Sequence, residues 1–380
     1  MTFSGSTRAY GIGKGVSSFD GRLGLQQRVL PGYRVAFFDL LADVCRGGLS
    51  VFAGEPRADE IIRNAAELNV AEWTRADNRY LLGGRWYLLW QKGLLDWLES
   101  VDPEVLILEA NPRYLSNRTA LRWMQNRGRP TIGWALGAPA AEGLLAPVRR
   151  YLRRRYLFQF DALIAYSSQG ASEYQALGIP ESRIFTAYNA VAPAPGSMPD
   201  RDSFEGREPR ILFVGRLQER KRVDMLLEAC RSLDQGIELT VVGDGPAKDE
   251  LVRQAAEIFP QANFVGALYG EDLETWFSWA DLFVLPGTGG LAVQQAMAAG
   301  LPVIVAQGDG TQTDLVSGDN GWLVKPGDQE QLTSTLRNAL SQPRALLMMG
   351  KESYKLSADR FNIEMMVTVF IKAIESVWKA

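Results

Sequence analysis

The chain has 380 residues, 46% apolar and 22% charged, and 41 Lys and Arg stand against 44 Asp and Glu for a formal net charge of −3. That length suits about two domains with cores of their own, and the composition excludes a disulfide scaffold, a collagen-like repeat and a disordered tail. Histidine is absent and the two cysteines, Cys45 and Cys230, lie far apart, which excludes Ser-His-Asp, Cys-His and HExxH chemistry and argues against a zinc site.

In chain order, Met1 to Arg22 reads as a loose Gly/Ser-rich leader without the apolar stretch of a signal peptide. Short apolar runs rich in β-branched residues then alternate with helical stretches. They are Leu49–Ala53, Val105–Leu108, Pro130–Trp134, Ala162–Tyr166 and Ile184–Ala187, followed by Arg210–Val214, Glu238–Val242, Ala262–Val265, Leu282–Leu285 and Pro302–Val305. Strands this apolar, separated by helices, predict parallel sheets covered on both faces. The expected class is therefore α/β with two consecutive units.

Between the units, the proline-rich stretch 196–209 reads as a linker, leaving residues 23–195 and 210–360 as the domains. Asp200-Arg201-Asp202 in that stretch has a DxD pattern, but a linker offers no rigid strand end for a metal. Residues 361–380 carry a helical apolar period and are expected to pack on either domain, including back on the first. Trp86 to Trp97 reads as an aromatic helical stretch, of a kind more often core than membrane anchor. Arg149, Arg150, Arg153, Arg154 and Arg155, beside Tyr151, Leu152, Tyr156, Leu157 and Phe158, suit either a solvated helix face or an anionic lipid surface. The uncharged run from Leu282 to Gly308 is broken by prolines and glycines, as a strand, loop, helix and strand would be, and not as a membrane span.

Two segments carry chemistry. Arg210-Ile-Leu-Phe-Val-Gly-Arg-Leu-Gln-Glu-Arg-Lys-Arg-Val-Asp224 runs a buried strand into Gly215 and sets Arg216 and Lys221 at its carboxyl end, where α/β sheets take ligands. Two cations there suit a diphosphate, though solvated surface charges would give the same spacing. Leu285-Pro-Gly-Thr-Gly-Gly-Leu-Ala-Val-Gln-Gln295 orders strand, glycine loop and helix N-terminus, so amides of Thr288 to Leu291 can face an anion; a tight structural turn explains it equally.

Together, and with Val242-Gly-Asp-Gly-Pro246, Phe264-Val-Gly266, Gly300-Leu-Pro-Val-Ile304 and Asn320-Gly-Trp-Leu-Val324, these segments resemble the GT-B glycosyltransferases of family GT4, over about residues 210 to 330. Leu25 to Phe38 is similar to the opening strand and helix of a bacterial branch with a PGxGGL loop. The resemblance implies two Rossmann-like parallel-sheet domains facing each other across a cleft, residues 23–195 binding the acceptor and 210–360 a nucleotide-sugar donor. It implies a retaining, metal-independent, hexosyltransferase-like enzyme without a cofactor, moving a sugar from a UDP- or GDP-sugar to a hydroxyl acceptor in polysaccharide or glycolipid assembly. Arg216 and Lys221 would then be catalytic, holding the diphosphate. Gly215, Gly266, Ala267, Gly287, Thr288, Gly289, Gly290, Leu291 and Gln295 would bind the donor, and Gly32, Tyr33, Arg34, Glu109, Asn111 and Arg113 would face the acceptor.

Partners would be the donor and an acceptor that is lipid-linked or soluble, with peripheral membrane contact and no nucleic acid. The expected place is the cytoplasm, at the inner face of the membrane. Where the family usually carries Glu-x7-Glu, this chain has Gly287 and Gln295. That departure leaves open a non-catalytic relative that binds nucleotide or carbohydrate without turnover. A nucleotide-sugar epimerase on the same double α/β fold is the third reading, disfavoured by the lack of histidine.

Overall fold

The computed structural model describes residues 17–57, 60, 64–84 and 87–378. One unit runs to Pro193 and resumes at Ile363; the other is Ala194–Asn362.

In unit 1 the order is β1 (Leu23–Val29), α1 (Val35–Asp43), β2 (Leu49–Gly54), β3 (Glu72–Leu81), β4 (Leu88–Lys92), α2 (Leu94–Val101), β5 (Val105–Glu109), α3 (Asn117–Gln125), β6 (Thr131–Ala135), α4 (Ala146–Leu157), β7 (Ala162–Ala165), α5 (Ser168–Ala176) and β8 (Ile184–Thr186). The strands order as β4-β3-β2-β1-β5-β6-β7-β8. All pairings are parallel except β3 with β4, which are antiparallel.

That edge pair corrects the aromatic helix expected over Trp86 to Trp97. Leu88 to Lys92 is a strand of alternating burial, and Gly93, at a φ of 84°, ends it before helix α2 begins at Leu94. Trp86 lies outside the described residues. β3 went unread because its sequence, EWTRADNRYL, has no apolar run and only Ala76 of it is buried. The leader boundary also moves: Phe19 is 1% exposed and bridges Cys45, so the packed chain starts before residue 22.

Unit 2 contains β9 (Arg210–Val214), α6 (Val223–Arg231), β10 (Glu238–Val242), α7 (Lys248–Ile258), β11 (Asn263–Gly266), α8 (Glu271–Trp279), β12 (Leu282–Leu285), α9 (Leu291–Ala298), β13 (Val303–Ala306), α10 (Thr311–Leu315), β14 (Gly321–Val324), α11 (Gln329–Leu340) and α12 (Pro343–Asp359). Its sheet, β11-β10-β9-β12-β13-β14, is parallel throughout, and the strands β9, β12 and β13 are buried nearly end to end. Helices on both faces explain why these read as unbroken apolar runs.

The helix α13 (Ile363–Val377) belongs to unit 1. Its apolar stripe, Ile363, Met366, Val367, Phe370 and Ile374, enters the core formed by α1 and the strands. Phe370 meets Trp134 edge-on at 4.9 Å and Phe37 at 5.0 Å. Each large side chain fully buried here contributes about 1.5–3 kcal/mol.

The stretch read as a linker is packed onto unit 2. Arg201 donates through Nη2 to Phe277 O and through Nη1 to Ala280 O, both at 2.6 Å, and through Nε to Ala299 O at 2.8 Å. One guanidinium thus serves the carbonyls that end α8 and α9, a favourable place for a cation. This is the middle residue of the DxD pattern, and its role is structural. No group of three or more Cys, Asp or Glu among the described residues is placed to hold a metal ion.

Candidate functional site

The carboxyl edge of unit 2's sheet is assembled by close backbone approaches that only glycine permits. Gly243, at a φ of 154°, lies against the carbonyl of Gly215, and a Cβ on Gly245 would strike the carbonyl of Leu217. The loop after β10 is thereby zipped to the loop after β9, with Leu217 N donating to Asp244 O at 3.0 Å. Arg216 leaves this braced segment half-buried, and its Nε is buried with no hydrogen-bond partner among the described residues. An orphaned guanidinium donor at a sheet edge points to an absent acceptor.

Lys221 ends the 3-10 turn Glu219–Lys221, and Arg222, in the left-handed region at a φ of 54°, starts α6. Burial is the largest influence on the Lys221 amine, and with the neighbouring Arg220 it pulls the pKa down to about 8 against the opposing pull of Asp309.

β12 lies beside β9, so the glycine loop of residues 287–290 faces this turn. Gly287 is pressed onto the backbone of Arg220 and Lys221, and Thr288 N donates to Arg220 O at 3.1 Å. Arg220 Nη1 in turn donates to Thr288 Oγ1 at 3.0 Å. The Lys221 amine occupies the space beside Gly289, whose φ is 141°. Gly290 precedes α9 without a side-chain cap, which leaves the first amides of that helix, from Leu291, for a ligand.

A third segment, missed in the sequence, closes this arrangement. Gln312, fully buried on α10, donates from Nε2 to Gly289 O at 2.9 Å. Thr311 Oγ1 donates to Asp309 Oδ1 at 2.6 Å. The charge of Arg220, within the quoted motif, was legible; Asp309 carries no spacing signal and is brought near Lys221 by the β13–α10 turn alone.

The remaining predicted donor residues fall on the same edge. Gly266 ends β11 at a φ of 80° and accepts from Gly243 N at 2.8 Å, with Ala267 exposed beyond it. Gln295 is half-buried within α9.

The predicted acceptor residues gather at the corresponding edge of unit 1. Gly32, Tyr33 and Arg34 form a 3-10 turn after β1, Tyr33 exposed and Arg34 buried. Glu109 ends β5, where its Oε2 accepts from Arg28 N at 2.5 Å. Its carboxyl is pushed up to about 7 by burial, against the pull of that hydrogen bond and of Arg28 and Arg34. Asn111 and Arg113 follow, Arg113 N donating to Asn111 Oδ1 at 3.1 Å, and with Glu109 they line a pocket of about 320 Å³. Behind it, Gln26 bonds Gln91, and Gln91 Nε2 donates to Asn78 Oδ1 at 2.8 Å, a buried network that lets polar residues occupy the central strand β1.

Residues 198–356 match the family model described as glycosyl transferases group 1. The chain is 29% identical over 205 residues to the amylovoran biosynthesis glycosyltransferase AmsK of Erwinia amylovora, covering 50% of each chain. It is 27% identical over 218 residues to the GDP-mannose-dependent alpha-(1-6)-phosphatidylinositol monomannoside mannosyltransferase of Mycolicibacterium smegmatis, covering 53% of this chain and 54% of the relative. The match thus spans about half the length of these curated relatives. HepE from Anabaena, crystallised with UDP, superposes with a TM-score of 0.71 at 16% identity over 94% of this chain and all of that one. Sucrose-phosphate synthase from Thermosynechococcus elongatus gives 0.69 at 18% identity over 93% and 98%. At these identities the likeness is one of fold: two Rossmann-like sheets in the GT-B architecture.

Proposed function

We propose that this chain, which belongs to the GT-B glycosyltransferases through its group 1 domain, moves a sugar with retention from a UDP- or GDP-sugar to a hydroxyl acceptor. The observation that carries the reading is the meeting of Arg220 and Lys221 with the glycine loop before α9, with Arg216 and its orphaned Nε following the adjacent strand β9. Such a set neutralises the charge that develops on a departing nucleoside diphosphate, the work a metal ion does elsewhere.

In this reading the bond from the anomeric carbon to the β-phosphate oxygen breaks while the acceptor oxygen bonds that carbon from the same face. The leaving phosphate takes the acceptor proton, so no histidine base is needed. Gly266 and Ala267 lie toward the base, Gln295 toward the ribose, and the amides of Gly289 to Leu291 toward phosphate and sugar, the Thr288 amide expected beside them being spent on Arg220 O. We assign acceptor binding to the edge of unit 1 that holds Glu109, Asn111 and Arg113.

A lipid-linked acceptor at the inner face of the membrane suits α4. Leu144, Leu145, Val148, Tyr151 and Leu152 are exposed on it or just before it, among five arginines, and no acid occurs from Gly143 to Phe160. Apolar side chains flanked by arginine fit an anionic bilayer surface. No helix among the described residues is long and apolar enough to cross a membrane.

The alternative, a relative that binds nucleotide without turnover, is favoured by Gly287, which denies the loop a carboxylate. Thermal shift against UDP, GDP and their sugars, with and without EDTA, followed by product analysis, tests both. A ligand at about a hundred times its Kd stabilises by about 2.7 kcal/mol. EDTA-insensitive stabilisation with turnover establishes the transferase. Stabilisation without transfer to any hydroxyl acceptor establishes the binder, and no shift with any nucleotide overturns both.

A further inference from the structure

At the amino-terminal end of unit 2's sheet, where β10 and β11 begin beside β9, lies a pocket of about 410 Å³. Trp276 and Trp279 line it from α8, three positions apart and so on one side of that helix. Both are half-buried, and their rings meet edge to face, with centres 5.2 Å apart and planes at 76°, which makes a corner of two indoles. Indole left half open at the mouth of a concavity keeps apolar area that a ligand can cover.

Glu208, Glu238, Gln261 and Asn263 line the same pocket, all exposed. Glu238 Oε1 accepts from Arg210 Nε at 3.4 Å, and Arg210 Cζ lies 5.4 Å from the centre of the Trp279 ring, which ties that carboxylate to that ring. Among the described residues the Glu208 carboxylate, the side-chain amides of Gln261 and Asn263 and both indole N–H groups have no hydrogen-bond partner. The pocket therefore offers donors and acceptors together with aromatic area.

Its lining holds two carboxylates and no Lys or Arg, so it disfavours phosphates and other anions, unlike the carboxyl edge that holds Arg216, Arg220 and Lys221. A cation finds Arg210 already on Glu238 and Trp279, and it accepts no hydrogen bond from the indoles or amides. A pyranose uses the whole set. Its C–H faces stack on indole, while its hydroxyls donate to carboxylate and accept from N–H.

We propose that this pocket is a second, non-catalytic saccharide site that takes a neutral glycan. The five residues of β10 hold it about 15 Å from the opposite edge of the sheet, too far for a sugar bound here to be the reacting group. It acts as a tether, which raises the effective concentration of a glycan near the enzyme. That the glycan is the chain under extension rests on the transferase reading; the chemistry of the pocket does not.

The test titrates the full-length chain by calorimetry with maltohexaose, mannohexaose and galactohexaose, and adds tetramethylammonium and inorganic phosphate as cationic and anionic competitors. Saturable binding of at least one oligosaccharide is expected, with neither ion displacing it. Trp276→Ala should weaken it about tenfold or more and Trp276→Phe should keep part of it. Glu208→Ala with Gln261→Ala, which alter exposed side chains only, should weaken it without moving the melting temperature. Absence of binding with all three oligosaccharides, binding undiminished in either alanine variant, or displacement by tetramethylammonium overturns the proposal. A chain that binds oligosaccharide through these residues but takes neither UDP nor GDP keeps this site and loses the transferase reading, so the two failures are distinguishable.

Discussion

The Lys221 amine fills the space beside Gly289 that a side chain at that position would take, so the smallest residue in the loop is what admits the cation. The same turn presses its backbone on Gly287. The loop and the cationic turn therefore form one packed object, and changes in either are felt by both.

Restoring a glutamate at position 287 should fail. Its Cβ would meet the backbone of Arg220 and Lys221, which cannot swing aside as a side chain can. Gly287→Glu is expected to lose about 1–3 kcal/mol of stability by overpacking and to bind UDP or GDP more weakly. Tighter binding with an unchanged melting temperature would refute the packing argument.

Nucleotide binding should weaken as pH rises through about 8. The free amine of Lys221 titrates there, and a bound diphosphate stabilises the charged form, so binding takes up a proton in that range. Lys221→Ala should cost about tenfold or more in nucleotide affinity and remove the pH dependence. Calorimetry from pH 7 to pH 9.5 measures both.

Glu109 should make the fold less stable on the alkaline side. Its pKa is raised from 4.5 to about 7 on folding, so the native chain binds more protons between those values. Stability from this group is complete below pH 4.5 and is lost as pH climbs through 7. Glu109→Gln should flatten the fall in denaturant midpoint across that window, Gln keeping an acceptor for Arg28 N.

Arg201→Ala should cost about 2–4 kcal/mol, because three carbonyls at the ends of α8 and α9 lose a charged donor. A urea denaturation curve reads this directly. A loss below about 0.5 kcal/mol would show that water replaces the guanidinium.

Leu145→Glu with Leu152→Glu should abolish sedimentation with vesicles containing anionic lipid while leaving the melting temperature within about 1 °C, since both residues are more than half exposed. Binding that survives would place any membrane contact elsewhere.

The alternation of apolar runs and helices by itself determined the class, because a parallel strand buried on both faces leaves little choice but unbroken Val, Ile and Leu. β9, β10 and β12 were bounded to the residue on that ground. Glycines and cations at strand ends likewise marked, in one linear stretch each, the two segments that meet at the carboxyl edge of unit 2's sheet. The edge pair β3–β4 was not legible, since a polar, half-exposed strand carries no apolar signal.

Only the tertiary structure decided what depends on distant backbone. Gly287 could be read as a missing glutamate until the turn at residues 219–221 was seen against it, and Arg201 as the spacer of a DxD pattern in a linker until its three carbonyl partners appeared from two helices. Arg34 reads as one cation among many. Only the fold places it among three rings, contributed by segments about 130 residues apart, with Glu109 near enough to feel its charge, a surrounding that no local run of residues encodes.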